Sequence, residues 1–358
     1  MIASWLVPVF VSIVSLLSGY GDTELLFVGD AMQHQGQLNA ARKSDSSYDY
    51  SSYFSAIKPL VSAADYAVVN LETPVGAGTH TGYPCFYAPT EFVDALKDAG
   101  FDLFLTANNH TLDRGTHGLK STISELNKRS LDHIGTYCDS TSRSMALPMI
   151  KGINGFRLGF LNYTYGTNGL SPRDGVVVDY INRAQIKADV EAAKAAGAEM
   201  LCVCIHWGDE YKLLPNKAQQ NLADFLEALG VDMIIGSHPH VIQPMEFRDN
   251  RYHNKKVLIV YSLGNFVSDM KTADTRGGAL VRVKLSHDYL GKVHLVEANY
   301  HLLFTIAGSS PENNFRVMEA DSVESAIWKT RARDFSKRAR DIFDRHNIGV
   351  SESKIVVK

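Results

Sequence analysis

Four cysteines in 358 residues are too few to build a disulfide scaffold. Basic charge is not in excess. The 36 Lys and Arg residues face 39 Asp and Glu, a formal net charge of −3, so the electrostatic footprint of a nucleic-acid binder is missing. No Walker A loop and no Gly-x-Gly-x-x-Gly fingerprint occurs. No Gly-x-Ser-x-Gly elbow occurs either, and Ser237 beside His238 is too local for a Ser–His–Asp triad. Internal repeats and low-complexity linkers are absent. Only one long apolar run is present, Ile2 to Ser18, so nothing else in the chain is long enough to span a bilayer.

What remains is an ordinary globular composition, 45% apolar and 21% charged. The run Ile2 to Ser18 precedes a small, polar stretch at Gly19 to Asp22 and reads as a signal-peptide core or short membrane anchor. Its plain alternative is a buried first strand or helix, since no Lys or Arg precedes Arg42. The expected organisation is residues 1–20 as signal or anchor, 21–310 as the main domain, and 311–358 as a helical segment packed on it or trailing it. Such a chain works outside the cytoplasm, in the periplasm or at the cell surface. Cys202 and Cys204 share one strand face, where a bridge is geometrically poor. Whether Cys85 and Cys138 pair is left open.

Short apolar runs recur at Leu25–Val28, Tyr66–Val69, Leu103–Leu105, Leu201–Ile205, Met233–Ile235 and Val257–Val260. Each is apolar on both faces and predicts a strand buried inside a sheet. Helical spacing predicts helices over Thr90–Ala99, Leu119–Leu126, Ala184–Ala196 and Gln219–Leu229, several of them stopped by glycine. The alternation predicts an α/β fold. From Gly277 the pattern turns to antiparallel strands, followed by a charged helix from Ser322 to Arg345.

Polar residues follow the apolar runs, at the sheet edge where α/β folds bind ligands. Asp30, Glu72, Asn109, His110, His206, His238 and His240 fall at five separate strand ends. Carboxylates, imidazoles and amides together suit Zn, Mn or Fe. Taken singly, Gly29-Asp30 reads as a turn, Asn70-Leu71-Glu72 as a cap, and His206 as a structural histidine. Asn108 to Asp113 is more specific, with two amides, a His and an Asp in six positions. Gly236-Ser237-His238-Pro239-His240 is expected to present two imidazoles on one side of an extended segment. Tyr261 to Phe266 reads as cleft floor or strand cap. The glycosylation patterns at Asn109 and Asn162 are discounted, the first because it lies in this cluster. Arg114 and Arg276 are candidate clamps for an anionic substrate, with solvent-facing arginines as the plain alternative.

Six motifs in order, from Gly29-Asp30-x-Met32 through Asn70-Leu71-Glu72, Asn108-Asn109-His110, His206-Trp207-Gly208 and Gly236 to His240, ending at Tyr261 to Phe266, resemble the CapA family. That family is associated with poly-γ-glutamate capsule synthesis and is related to calcineurin-like metallophosphoesterases. The resemblance implies a four-layer α/β metallophosphoesterase-like fold, a central β sandwich flanked by helices, carrying two divalent transition metal ions (Mn, Zn or Fe). It implies that Asp30 and His240, with His34, hold one metal, that Asn109, His206 and His238 hold the other, and that Glu72 bridges. His110 is then the general acid or transition-state stabiliser, oriented by Asp113. Two departures stand out: His34 follows Asp30 by four positions where the related enzymes have two, and Glu72 replaces a shorter Asp. The implied partners are poly-γ-glutamate or a phosphoester substrate, together with membrane-bound capsule synthesis proteins. Two other readings stay open: a non-catalytic cell-surface accessory of polymer assembly or export, and a metal-free domain whose histidines are merely buried.

Overall fold

The computed structural model describes residues 21–353, so the apolar run at residues 2–18 lies outside the described residues. The chain begins with β1 (Thr23–Ala31), α1 (Gln35–Ala41), α2 (Lys58–Val61), β2 (Tyr66–Leu71), α3 (Thr90–Ala99), β3 (Leu103–Leu105), α4 (Gly115–Lys128), β4 (Asp132–Ile134) and β5 (Thr136–Tyr137). It continues with α5 (Ser140–Ala146), β6 (Met149–Ile153), β7 (Phe156–Thr164), β8 (Val177–Val178), α6 (Arg183–Ala195), β9 (Met200–His206), α7 (Lys217–Ala228) and β10 (Met233–Ser237). The rest is β11 (Ile242–Asp249), β12 (Lys256–Leu263), β13 (Asn265–Val267), β14 (Gly277–His287), β15 (Val293–Ile306), β16 (Arg316–Glu319), α8 (Lys329–His346) and β17 (Ser351–Glu352).

The runs that are apolar on both faces are buried on both faces. In β1, Leu25 and Phe27 point into a core shared with Phe160, Cys202, Ile235 and Val260, which lie on the second sheet. Leu26 and Val28 point the other way, onto Phe54, Phe92 and Leu96. The outer face of the second sheet, with Val203 and Ile205, packs on Val190 and Leu226 of α6 and α7. The result is four layers, helix–sheet–sheet–helix, as the resemblance implied.

The first sheet has the order β16-β15-β14-β1-β2-β3-β4, with β13 beside β1 and β17 beside β15. Strands β1 to β4 run parallel, and β14 to β16 antiparallel, as the change of pattern near Gly277 predicted. The second sheet has the order β11-β12-β10-β9-β7-β6, parallel except at its edges. Parallel strands share one carboxyl edge, so both sheets deliver their strand ends to one place.

The C-terminal helix starts later than its sequence suggests. Ala320–Ser322 is a single 3-10 turn, and Val323 leaves it extended (φ −75, ψ 108) to bury itself in the inter-sheet core. The helix proper, α8, then lays Ala332, Phe335, Ala339 and Phe343 on that same core. Among the described residues, no helix is long and apolar enough to cross a membrane. All four cysteines are free, and the Cys202 and Cys204 sulfurs sit 3.8 Å apart inside the sandwich.

The two sheets meet through aromatic contacts such as Tyr66 on β2 and Phe160 on β7, with ring centroids 5.5 Å apart. Phe160 is fully buried. Phe160→Ala is expected to destabilise the protein by about 3–5 kcal/mol. Guanidinium unfolding should show a lower midpoint with an unchanged slope.

Candidate metal centre

The site forms where the chain crosses between sheets. After β12 the chain leaves the second sheet at Gly264 and enters β13, which pairs with β1 in the first. There the Asp30 N–H donates to the Gly264 carbonyl at 3.1 Å. A Cβ on Gly29 would lie 1.9 Å from that carbonyl oxygen. Gly29-Asp30 is therefore not a turn: the strand continues through it to Ala31, and glycine is required because two backbones touch. A second close approach explains three motifs together. The Trp207 indole donates to the Tyr261 carbonyl at 2.9 Å, directly over Gly236, where any Cβ would collide with both groups.

This crossing brings Asp30 of the first sheet against His240 of the second. Asp30 is fully buried. It accepts from Asn70 Nδ2 at 2.7 Å, from the His238 N–H at 3.3 Å and from His240 Nδ1 at 3.1 Å. Burial alone would raise its pKa, but the His240 and Asn70 contacts outweigh that and hold the carboxyl below its usual 3.8. His240 Nδ1 also lies 3.0 Å from Asn265 Oδ1, and Asn265 is fixed in turn by donating to the Thr275 carbonyl at 2.8 Å. With its Nδ1 so engaged, His240 turns Nε2 inward, to 3.8 Å from Glu72 Oε1.

Glu72 is fully buried, and neither of its oxygens has a hydrogen-bond partner. The basic atoms facing Oε1 are His206 Nε2 at 3.5 Å and His240 Nε2 at 3.8 Å. Burial first, and the neighbouring Asp30 second, push its pKa well above the usual 4.5. His206 lies 2.8 Å from Asn109 Oδ1 through Nε2 and 3.0 Å from Ser237 Oγ through Nδ1. Burial, with His238 and His240 adding repulsion, drives His206 well below its usual value. Burial and His240 likewise bring His238 down to about 3, and its Nδ1 is buried without a partner. The imidazoles of His206 and His238 are thus held neutral, the form that binds metal.

The two histidines of His-x-His do not lie on an extended segment. His238 and His240 have φ of +100 and +59, so the chain turns sharply at each. Left-handed backbone at two non-glycine candidate ligands flanking Pro239 is strain of the kind found at functional sites.

Ligand atoms converge in two buried groups, Glu72–His238–His240 and Asp30–Glu72–His206, with atoms within 4.8 Å of one another in each. Glu72 is common to both, the position expected of a bridge. His206 falls in the group with Asp30 and His238 in the group with His240, while His240 also touches Asp30 at 3.1 Å. Orphaned carboxylate oxygens, an orphaned imidazole nitrogen and neutral histidines are the donor set a divalent cation satisfies, so the residues fit the implied metals. His34 enters neither group. It caps α1, its Nδ1 lies 3.3 Å from Gln37 Oε1 and from the Asp269 N–H, and its ring packs edge-on to Phe86.

His110 and Asp113 form a tight pair, Nδ1 to Oδ2 at 2.7 Å, and the same oxygen accepts the Phe86 N–H at 2.7 Å. Phe86 stands edge-on to His110, with centroids 4.6 Å apart. The arginines are engaged elsewhere. Arg276 is 3% exposed, bound to the Thr305 carbonyl and Asp269 and stacked on Trp328 at 4.9 Å, so it does not reach solvent as an anion clamp must. Arg114 is half-buried and lies over the Tyr87 ring at 5.1 Å. Asn109 and Asn162 are both buried, which no glycan tolerates. Three supporting residues escaped the sequence reading as site members: Asn70, Ser237 and Asn265. Their signal was an amide or hydroxyl at the end of a strand that is otherwise apolar.

Without metal, Glu72 penalises the fold. Below about pH 4.5 its carboxyl is protonated whether folded or unfolded and has no effect. Above that the unfolded chain ionises while the folded one resists, so metal-free protein loses stability as pH rises toward the raised folded value. Glu72→Gln is expected to raise the Tm of chelator-treated protein at neutral pH and to flatten its pH dependence. Added manganese should then stabilise the parent protein and not the variant, as calorimetry over roughly pH 5 to 8 would read.

Sequence comparison places these residues in a family. The family described as "Bacterial capsule synthesis protein PGA_cap" matches residues 24–270. The PGA biosynthesis protein CapA of Bacillus subtilis (strain 168) is 29% identical over 291 residues, 77% of this chain and 71% of its own. The capsule biosynthesis protein CapA of Bacillus anthracis is 27% identical over 327 residues, 86% of this chain and 75% of its own. Among solved structures, the NAD nucleotidase of Haemophilus influenzae superposes with a TM-score of 0.50 at 14% identity, covering 93% of this chain. This chain spans 64% of the nucleotidase, and the likeness concerns the fold. A match that embraces all six motifs and most of the chain shows that the protein belongs to the bacterial capsule synthesis family PGA_cap.

Proposed function

We propose that this protein is a metal-dependent hydrolase-type member of the poly-γ-glutamate capsule machinery, acting on the polymer or on a phosphoester during its synthesis. The observation that carries this reading is the pair of buried ligand groups sharing Glu72. Asp30, Glu72, Asn109, His206, His238 and His240 would hold two divalent cations, Mn, Zn or Fe. Such cations supply Lewis acidity toward the substrate and acidify water.

The chain's own residues do the rest. Asn70 and Asn265 orient Asp30 and His240, the outer support that fixes which nitrogen faces the cluster. Asp113 accepts from His110 Nδ1, which leaves Nε2 to carry a proton to a leaving group. The Asp113 carboxylate balances the charge His110 bears while it does so. The packing of Phe86 against His110 keeps water from the dyad. The names of the Bacillus relatives support the capsule assignment. The apolar residues 2–18 support work outside the cytoplasm, secreted or anchored beside membrane-bound capsule synthesis proteins.

His110→Ala separates catalysis from a purely accessory role. The variant is expected to keep its metal and its affinity for poly-γ-glutamate while hydrolysis and polymer output fall by about 10²–10⁴-fold. Unchanged output would favour a non-catalytic cell-surface role.

A further inference from the structure

Three tyrosines stand in solvent around the cluster: Tyr165 at 47% exposure, Tyr211 at 55% and Tyr83 at 70%. Aromatic rings exposed beside a buried polar site offer flat apolar surface that a ligand ring can cover. Each is held there by a specific contact. The Tyr165 N–H donates to the His206 carbonyl at 3.0 Å. Its ring packs on His238 at 4.5 Å and lies nearly parallel to His206, 10° apart at 6.3 Å. Tyr211 is tied to the turn between the two histidines, its N–H donating to the Pro239 carbonyl at 2.8 Å, and its ring lies 6.2 Å from His240.

Tyr211 is also strained. Its φ of +65 is a left-handed value that a bulky side chain rarely adopts. A surface residue with no task would be relieved of it by glycine or asparagine. Here the strain holds a half-exposed ring beside His240. Tyr83 rests on Phe86 at 6.1 Å, and Phe86 in turn borders His110. Tyr165 borders the cluster on the His238 side and Tyr211 on the His240 side. The charge among them is negative. Exposed Asp209 and Glu210 immediately precede Tyr211 in the chain. A rim of ring faces and carboxylates suits an uncharged ring and repels a second anionic group.

We propose that Tyr165 and Tyr211, helped by Tyr83, form a rim that grips an uncharged ring-bearing portion of the substrate, next to the anionic group held by the cluster. The proposal rests on the metal-dependent reading above and, of its two substrates, on the phosphoester and not the ringless polyanionic polymer; it adds the class of group flanking the bond. Phenylphosphonate and methylphosphonate test it, since they carry the same anion and differ in the ring, and their carbon–phosphorus bonds resist hydrolysis. Calorimetric titration of the manganese-loaded full chain is expected to show phenylphosphonate binding about tenfold tighter. Tyr165→Ala and Tyr211→Gly should each shrink that ratio toward unity, the latter while relieving the left-handed backbone. Tyr165→Phe should preserve it, because the ring face and not the hydroxyl makes the contact. Cyclohexylphosphonate tells the ring types apart: affinity equal to phenyl marks a sugar-like ring, and weaker affinity a planar one. Equal affinity for phenyl and methyl overturns the rim while the metal reading stands. A ratio that survives both truncations overturns it as well. Failure to bind any of the phosphonates removes the anion-holding cluster and the proposal with it.

Discussion

A carboxylate taken fully out of water and given no protein cation is among the least favourable groups a fold can contain, by several kcal/mol at least. Glu72 is such a group: both oxygens are buried and unpaired, and Asp30 lies within range to repel it. Of the two imidazoles facing it, His206 is kept neutral by burial and by repulsion from its neighbours, and His240 is engaged with Asp30 through Nδ1. Cations in the two ligand groups would satisfy Glu72, His238 and His206. The arrangement is unfavourable as bare protein and favourable as a cation site, and the rest of the site is organised around that difference.

The fold supplies the rigidity this demands. Glu72, Asp30, His206 and His240 come from four strand ends on two sheets, so their spacing is set by the sandwich and not by a loop. The sheets are pinned at the site by backbone contact at Gly29 and Gly264, while the Trp207 indole, lying across Gly236 on Tyr261, ties neighbouring strands within the second sheet. Asn162 adds a tie from β7 across to the Ala107 N–H at 2.8 Å. Motifs that look like six separate signatures are thus one interlocked structure. The aromatic residues around it grade from buried Phe86 to the half-exposed tyrosines, which carries the site's dry interior out to a wet rim.

Much of this was legible in the sequence. Strands buried on both faces were readable because Leu25 to Val28 and its counterparts show no polar alternation, and α3 was readable to the residue because Gly100 stops it. The candidate ligands that converge were readable because polar residues follow the apolar runs at strand ends. What was not legible depended on contacts between distant segments. Gly29 looked like a turn because its true neighbour, Gly264, is remote in sequence. His238 and His240 looked extended because their left-handed turns are imposed by packing and not by composition. The hairpin of β6 and β7 was missed despite Asn154-Gly155, whose positive φ values are the expected turn signal. Arg276 looked like a clamp, and only the packing shows it buried on Trp328.

Family membership and a four-layer sandwich set the context, but neither specifies chemistry. The chemistry rests on whether the shared carboxylate bridges two cations. The most direct measurement is metal content per chain, by mass spectrometry of protein purified without chelator. The account predicts close to two equivalents of divalent transition metal per chain. Protein that holds no metal, and takes up none when incubated with manganese, zinc or iron, would contradict it.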